Sequence, residues 1–192
     1  GAPLRTLNLG PEELRLLKGF TFFTLKPMLV VLNCAESDAG DLDGAARRAG
    51  LERWRSQPKV AVSAVSATIE EEVSRLEPAD QAVFLAELGL PDRALDRLLR
   101  EAYGLLGLIS FFTVGEDECR AWSVVRGTPA VKAAGEIHSD LERGFIRAEV
   151  VAWDELLAAG SLAACRQRAT LRLEGRDYVV QDGEVIHFRF SV

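Results

Sequence analysis

The pattern of apolar and polar positions changes character twice along the chain and divides it into three stretches. In the first, Met28-Leu29-Val30-Val31-Leu32 and Val60-Ala61-Val62-Ser63-Ala64-Val65 are short apolar runs with little alternation. Runs of this length, rich in β-branched residues, predict strands buried on both faces, as in a parallel α/β sheet. Between them, Asp41 to Gly50 predicts a crossover helix that Gly50 stops, giving a βαβ unit. Upstream, Gly10-Pro11-Glu12-Glu13 reads as the entry of a short helix over Glu12–Lys18.

The second stretch, Ser66 to Gly107, has helical spacing. Ser66 or Thr68 can cap a helix carrying Ile69, Val73 and Leu76, and Pro78 opens another that ends at Gly89. Leu95, Leu98, Leu99, Ala102, Leu105 and Leu106 fall at i, i+3, i+4 spacing and predict an amphipathic helix packed on a core. In the third stretch the period returns to that of strands. Ile109–Val114 and Cys119–Val125 predict a hairpin turning at Gly115-Glu116-Asp117-Glu118, followed by a helix over Ala130–Gly135 behind Thr128-Pro129. Phe145–Trp153 reads as a strand, and Asp154 and Ser161 as caps of short helices. Thr170–Leu173, Tyr178–Val180 and Val185–Phe190 then predict a meander, the last two joined by a hairpin at Asp182-Gly183. A hairpin, a helix and further strands make a self-contained α+β module of β-grasp-like order.

Composition narrows the possibilities. Among 192 residues, 48% are hydrophobic and 27% charged, which suits a soluble globular chain. No apolar run is long enough to span a bilayer, and the first residues lack the layout of an export signal. Cys34, Cys119 and Cys165 are few, odd in number and far apart, which argues for a reducing compartment and against a disulfide framework or zinc site. A cytoplasmic, non-membrane protein with no metal site of its own is the expectation. The net charge of −6 argues against a generally basic nucleic-acid binder but leaves room for a local basic stripe. The chain does not begin with Met, so a processed, tagged or truncated polypeptide is expected.

Two places carry candidate chemistry. Asn33-Cys34-Ala35-Glu36 follows the first strand directly, where ligands gather in α/β proteins. An Asn amide there can read a base edge with a donor and an acceptor, while a carboxylate offers acceptors only. The plainer alternative is that Asn33 closes the strand and Glu36 is solvated. Small residues at the end of the second strand, Ser63-Ala64 or Ser66-Ala67, would let backbone approach a ring. No G-x-x-x-x-G-K-[ST] phosphate loop occurs, and His138 and His187 are far from any nucleophile elbow. The third stretch interleaves arginines with Trp122, Phe145, Trp153 and Tyr178. That pairing suits phosphate contact and stacking on RNA, although aromatics at strand spacing also build cores. Arg143, Arg147, Arg172, Arg176 and Arg189 are the candidate RNA or ribosome contacts.

Longer motifs then become specific. Ala121-Trp122, Ala133-Ala134-Gly135 and the run Glu136-Ile137-His138-Ser139-Asp140-Leu141-Glu142-Arg143-Gly144-Phe145-Ile146-Arg147-Ala148-Glu149-Val150 closely resemble the TGS domain of the Obg-like ATPases, the YchF family. The ending from Gly175-Arg176-Asp177-Tyr178 to His187-Phe188-Arg189-Phe190 is similar to the same family's C-terminus. Thr24-Leu25-Lys26-Pro27, Glu87-Leu88-Gly89-Leu90 and Tyr103-Gly104-Leu105-Leu106 extend the likeness upstream.

The resemblance implies a partial P-loop nucleotide-binding domain with a helical linker over residues 1–107, followed by a β-grasp TGS domain over 108–192. It also implies that Asn33-Cys34-Ala35-Glu36 is the family's Asn-x-x-Glu motif, to which its preference for ATP over GTP is attributed. Asn33 would then bond the adenine edge, Cys34 would pack near the base and Glu36 would disfavour guanine. Ser66-Ala67 would present backbone to the ring, with Ser63-Ala64 as the rival register. ATP (or GTP) with Mg is the cofactor implied for an intact protein, and none is expected to bind this chain tightly. The phosphate loop, switch regions and magnesium ligands of the family are absent here, so the chain alone is expected to be inactive. A ribosome or RNA partner is implied for the TGS module. The alternative is a free-standing TGS-type binding module without nucleotide hydrolysis.

Overall fold

The computed structural model describes residues 1–115 and 117–191, so Glu116 of the expected first turn lies outside the described residues. The chain forms two compact units, Gly1–Leu106 and Gly107–Val192. No helix among the described residues is long and apolar enough to cross a membrane.

The first unit opens with α1 (Pro11–Leu17) and then the strand β1 (Met28–Asn33). The crossover is α2 (Leu42–Arg48) with the single turn α3 (Glu52–Arg55), and it leads to β2 (Val60–Val65). β1 and β2 pair in parallel, in register from Met28 with Val60 to Asn33 with Val65. Asp41 fixes the start of α2 by accepting the Gly44 N–H at 2.9 Å. Three further helices follow: α4 (Ala67–Arg75), α5 (Pro78–Glu87) and α6 (Ala94–Leu106). Ile69 and Val73 of α4 pack with Ala39 and Leu85 into a small core.

Two expectations fail in this unit. β1 is not buried on both faces, since Val31 is 43% exposed; among the described residues β1 has only β2 as a neighbour. The stripe of α6 does not pack wholly on a core either: Leu95, Leu99 and Leu106 are exposed, and only Ala94 of that helix is fully buried.

The second unit is a mixed five-stranded sheet with helices on both faces. Its strands are β3 (Leu108–Val114), β4 (Cys119–Val125), β5 (Phe145–Ala152), β6 (Arg172–Glu174) and β7 (Glu184–Phe190). Their order across the sheet is β4-β3-β7-β5-β6, with β3 and β7 parallel and the other neighbours antiparallel. The helices are α7 (Ala130–Ile137), α8 (Ser139–Arg143), α9 (Trp153–Ala159) and α10 (Leu162–Gln167). On one face Ile109, Phe111, Val124, Ala148, Val150, Ile186 and Phe188 meet α7 through Ala130, Ala133 and Ala134. Alanines there let the helix pack close to the sheet, on which Phe111 and Phe188 of neighbouring strands meet edge to face at 6.0 Å. On the other face α9 and α10 cover Val151 and Val185, with Cys165 buried beneath them.

The predicted meander is not formed. Tyr178–Val180 contributes one bridge, between Val179 and Pro129, rather than a strand. Asp182-Gly183 does not close a hairpin. Asp182 accepts the Ser110 N–H at 2.8 Å, and the Gly183 N–H bonds the Ser110 carbonyl at 2.8 Å. These bonds carry β7 into the middle of the sheet, beside β3 and β5. Trp153 begins α9 instead of ending β5. The sequence reading also missed α8, whose first turn is capped by His138 Nδ1 accepting the Asp140 N–H at 3.2 Å.

Candidate functional site

The parallel register of β1 and β2 brings both candidate loops out at the same end of the sheet. Beyond the last pair, Asn33 with Val65, the Cys34 N–H donates to the Val65 carbonyl at 2.8 Å. The Cys34 thiol lies 3.2 Å from the same oxygen. Burial, then the nearby Asp38 charge, pushes that thiol up, so Cys34 is a neutral packing group rather than a nucleophile.

α4 begins immediately after β2, and its first N–H groups have no intrahelical acceptor. Ser66 occupies the N-cap position without a side-chain capping bond. The Oδ1 atom of Asn33 accepts the Ala67 N–H instead, at 3.0 Å, so the cap comes from the neighbouring strand. This bond ties the two loops together and fixes the Asn33 amide in one orientation. The Nδ2 group donates to no described residue, and Asn33 and Ala67 are exposed. Ser66 is 5% exposed, and its Oγ has no hydrogen-bond partner.

The geometry thus brings Asn33, Cys34, Ser66 and Ala67 together. Glu36 is exposed at the start of a 3-10 turn over Glu36–Asp41, and no bond joins it to the other four. Ser63 and Ala64 lie within β2 and are buried. Ser63 Oγ donates to Glu101 at 3.2 Å, and the Ala64 carbonyl accepts from Arg97 at 2.8 Å. They line a cleft of about 350 Å³ with Arg97, Glu101 and Asp41, which includes neither Asn33 nor Ala67.

In the second unit the candidate arginines differ in their freedom. Arg143 is paired with Asp140 next to it on α8. Arg172 reaches the buried Glu184 at 2.5 Å and the Tyr178 hydroxyl at 3.1 Å. Glu184 also accepts from the Tyr178 hydroxyl and from the Gln181 N–H at 2.9 Å, so this cluster pins the chain ahead of β7. Arg176 donates to the Phe145 carbonyl at 3.3 Å and lies over that ring. Arg189 is bonded to Glu149, while Arg147 is exposed with no partner among the described residues. Arg166, which was not a candidate, shares Glu149 with Arg189 at 2.8 Å. Of the interleaved aromatics, Phe145 is buried, and Trp122 and Tyr178 pack against the core. These three face the core in whole or in part, whereas the fourth, Trp153, is 53% exposed.

Comparison with known proteins gives a consistent picture. Residues 108–191 match the family YchF-GTPase_C, described as a protein of unknown function. Across 99% of its length the chain is 44% identical to the ribosome-binding ATPase YchF of Bacillus subtilis, covering 52% of that protein. It is 40% identical to the protein of the same name from Pasteurella multocida, covering 98% of this chain and 51% of the other. The chain therefore spans about half the length of the curated relatives it matches. Among solved structures, the Schizosaccharomyces pombe YchF GTPase aligns with a TM-score of 0.80 at 26% identity, over 97% of this chain and 50% of that one. A GTP-binding protein from Pyrococcus horikoshii aligns at 0.55 and 19% identity, over 88% of this chain and 47% of that one, a likeness of fold alone.

Proposed function

This chain belongs to the YchF family, whose C-terminal half it matches, and from that premise we propose that it is the base-reading and partner-facing portion of a ribosome-associated nucleotide-binding protein. The first unit is the later part of a P-loop-type nucleotide domain, and the second is a TGS module of the β-grasp kind. The strand order of the second unit supports that reading: a hairpin, a crossover helix, and a last strand that inserts parallel to the first.

The observation that carries the nucleotide reading is the bond from Ala67 N–H to Asn33 Oδ1. It leaves Nδ2 as a positioned donor, and purine N7 is an acceptor in adenine and guanine alike. Asn33 would therefore hold a purine without choosing between them. The choice would fall to Glu36. Guanine presents N1–H and N2–H donors that an Asp one carbon shorter takes in related nucleotide sites, and adenine lacks them.

The residues present fit the base but not the rest of the nucleotide. There is no phosphate loop in the sequence, and no metal-holding cluster of His, Cys, Asp or Glu occurs among the described residues. Mg with ATP or GTP would be held by residues outside this chain, where the ion would neutralise phosphate charge. This chain's share is to orient the base at the ends of β1 and β2. The unpaired edge of β1 supports completion of that sheet by a further strand from such a region.

The test is equilibrium binding of fluorescent ATP and GTP analogues to this chain and to the protein extended upstream through a phosphate loop. The chain alone should bind weakly and hydrolyse nothing. The extended protein should prefer ATP, and Glu36→Asp should move the preference toward GTP by about 5- to 150-fold, the effect of a polar mismatch of about 1–3 kcal/mol. An unchanged preference would remove Glu36 from this role.

A further inference from the structure

An irregularity in β5 turns one arginine onto the sheet face opposite the aromatic core. Phe145 pairs with Phe190 and Arg147 with Arg189, so two steps along β5 match one along β7. In a regular strand Arg147 would share the face of Phe145. The extra residue, Ile146, reverses it. Arg147 and Arg189 therefore stand directly opposite one another, although facing like charges weaken a sheet.

Two residues along the same row lies Glu149, which is 6% exposed. Its Oε1 accepts from Arg189 on β7 and from Arg166 on α10. Burial acts to raise this carboxyl, but the two arginine bonds outweigh it and hold it below the usual range, so it stays charged. A guanidinium has five N–H donors, and one shared oxygen uses few of them. The side chains of Arg166 and Arg189 remain 59% and 52% exposed. Arg147 is exposed and unpartnered among the described residues. His187, across from Glu149, adds an exposed imidazole to the row. Three cations against one anion make this spot positive, within residues 107–192 that carry 10 Lys and Arg against 13 Asp and Glu.

We propose that Arg166 and Arg189, gathered by the buried carboxylate of Glu149, form with Arg147 opposite Arg189 a phosphate-binding patch for the backbone of RNA. The inference rests on reading the second unit as a ribosome- or RNA-contacting module, and it gives that contact a place. Guanidinium forks match phosphate oxygens, and donors spread over β5, β7 and α10 suit a linear, repeating anion. Arg143, Arg172 and Arg176 are not part of the patch. Arg143 stands on α8 beside its own partner Asp140, outside the β5–β7 row, and Arg172 and Arg176 are bonded to Glu184 with Tyr178 and to the Phe145 carbonyl.

The experiment is fluorescence anisotropy of a labelled oligouridylate titrated with the whole chain over a series of salt concentrations. Arg147→Ala, which breaks no bond in the fold, should weaken binding at low salt and lower the slope of log affinity against log salt by about 0.7, one phosphate contact. Its thermal unfolding should match the parent's. Arg189→Ala should add a second decrement, and Arg143→Ala none. Glu149→Gln separates gathering from bulk charge. It makes the chain less acidic, yet should weaken binding because the two guanidiniums lose their anchor.

If the parent binds and Arg147→Ala and Arg189→Ala bind equally well, the patch is wrong and the module's RNA contact lies elsewhere. If the folded parent binds no RNA, the module reading falls together with the patch. If a polyglutamate peptide displaces the RNA and binds more tightly, in an Arg147-dependent way, the patch takes an acidic protein segment instead and the proposal is overturned.

Discussion

The oxygen and the nitrogen of the Asn33 amide can be tested separately. Its oxygen caps α4 through Ala67, and its nitrogen is left to donate. Asn33→Asp keeps an acceptor for the Ala67 N–H but removes the donor. Asn33→Ala removes both. The chain should therefore lose about 1 kcal/mol on Asn33→Ala and almost nothing on Asn33→Asp, read from urea unfolding. Both changes should impair nucleotide binding in the extended protein. Equal loss of stability in the two would mean that the cap is not made by this oxygen. Sequence alone brought Asn33 to notice, because an amide at the end of a buried strand is suggestive. It could not show that this amide caps α4, since the partner lies 34 residues away.

At the scale of elements, local signals gave extents well and the pairings of chain neighbours, β1 with β2 and β3 with β4, but not the placement of β7. The runs of β2 and β4 form strands over the predicted residues, Val60–Val65 and Cys119–Val125, and Pro78 opens α5. The misplaced element is the last hairpin. Asp-Gly favours a tight turn when both flanks are free to pair. Here Asp182 and Gly183 both bond Ser110, which commits β7 to β3 and β5. Close approach decides the other end of the same strand. A Cβ on Gly144 would lie 2.1 Å from the backbone oxygen of Ser191, whose N–H bonds the Gly144 carbonyl at 2.9 Å. Backbone cannot yield as a side-chain tip can. Gly144→Ala should thus cost about 1–3 kcal/mol by forcing the end of β7 away from the α8–β5 junction. Gly175→Ala, with nothing within 4 Å of the new carbon, should stay within about 0.5 kcal/mol. Matching denaturation midpoints for the two variants would contradict this packing.

At the scale of the whole molecule, the two units differ in how complete they are. The second has a continuous core of sheet and helix residues, among them Phe111 and Val150 at 0% exposure. The first leaves Leu16, Phe20, Phe23, Val31 and Leu106 exposed, and its sheet has two strands among the described residues. Parallel sheets are normally covered on both faces, and clustered exposed apolar residues promote association. Residues 107–192 expressed alone should therefore unfold in one cooperative thermal transition. Residues 1–106 alone should bind a hydrophobic dye and self-associate on a sizing column. A non-cooperative second unit, or a monomeric first unit that ignores the dye, would reverse this assessment.

The sequence by itself determined what is local. Apolar runs, Pro and Gly positions and capping residues set where most helices and strands lie, and contiguous motifs identified the family. Tertiary structure decided what depends on groups distant in the chain. It made Asn33 the cap of α4, laid β7 beside β3, and turned Arg147 toward Arg189 through one extra residue in β5. It also committed Arg172 and Arg176 to internal partners while leaving Arg147 open. The physical reason is the same in each case. A side chain's chemistry is written in its own residue, but its free donors and charge are what remain after its neighbours in space have been satisfied.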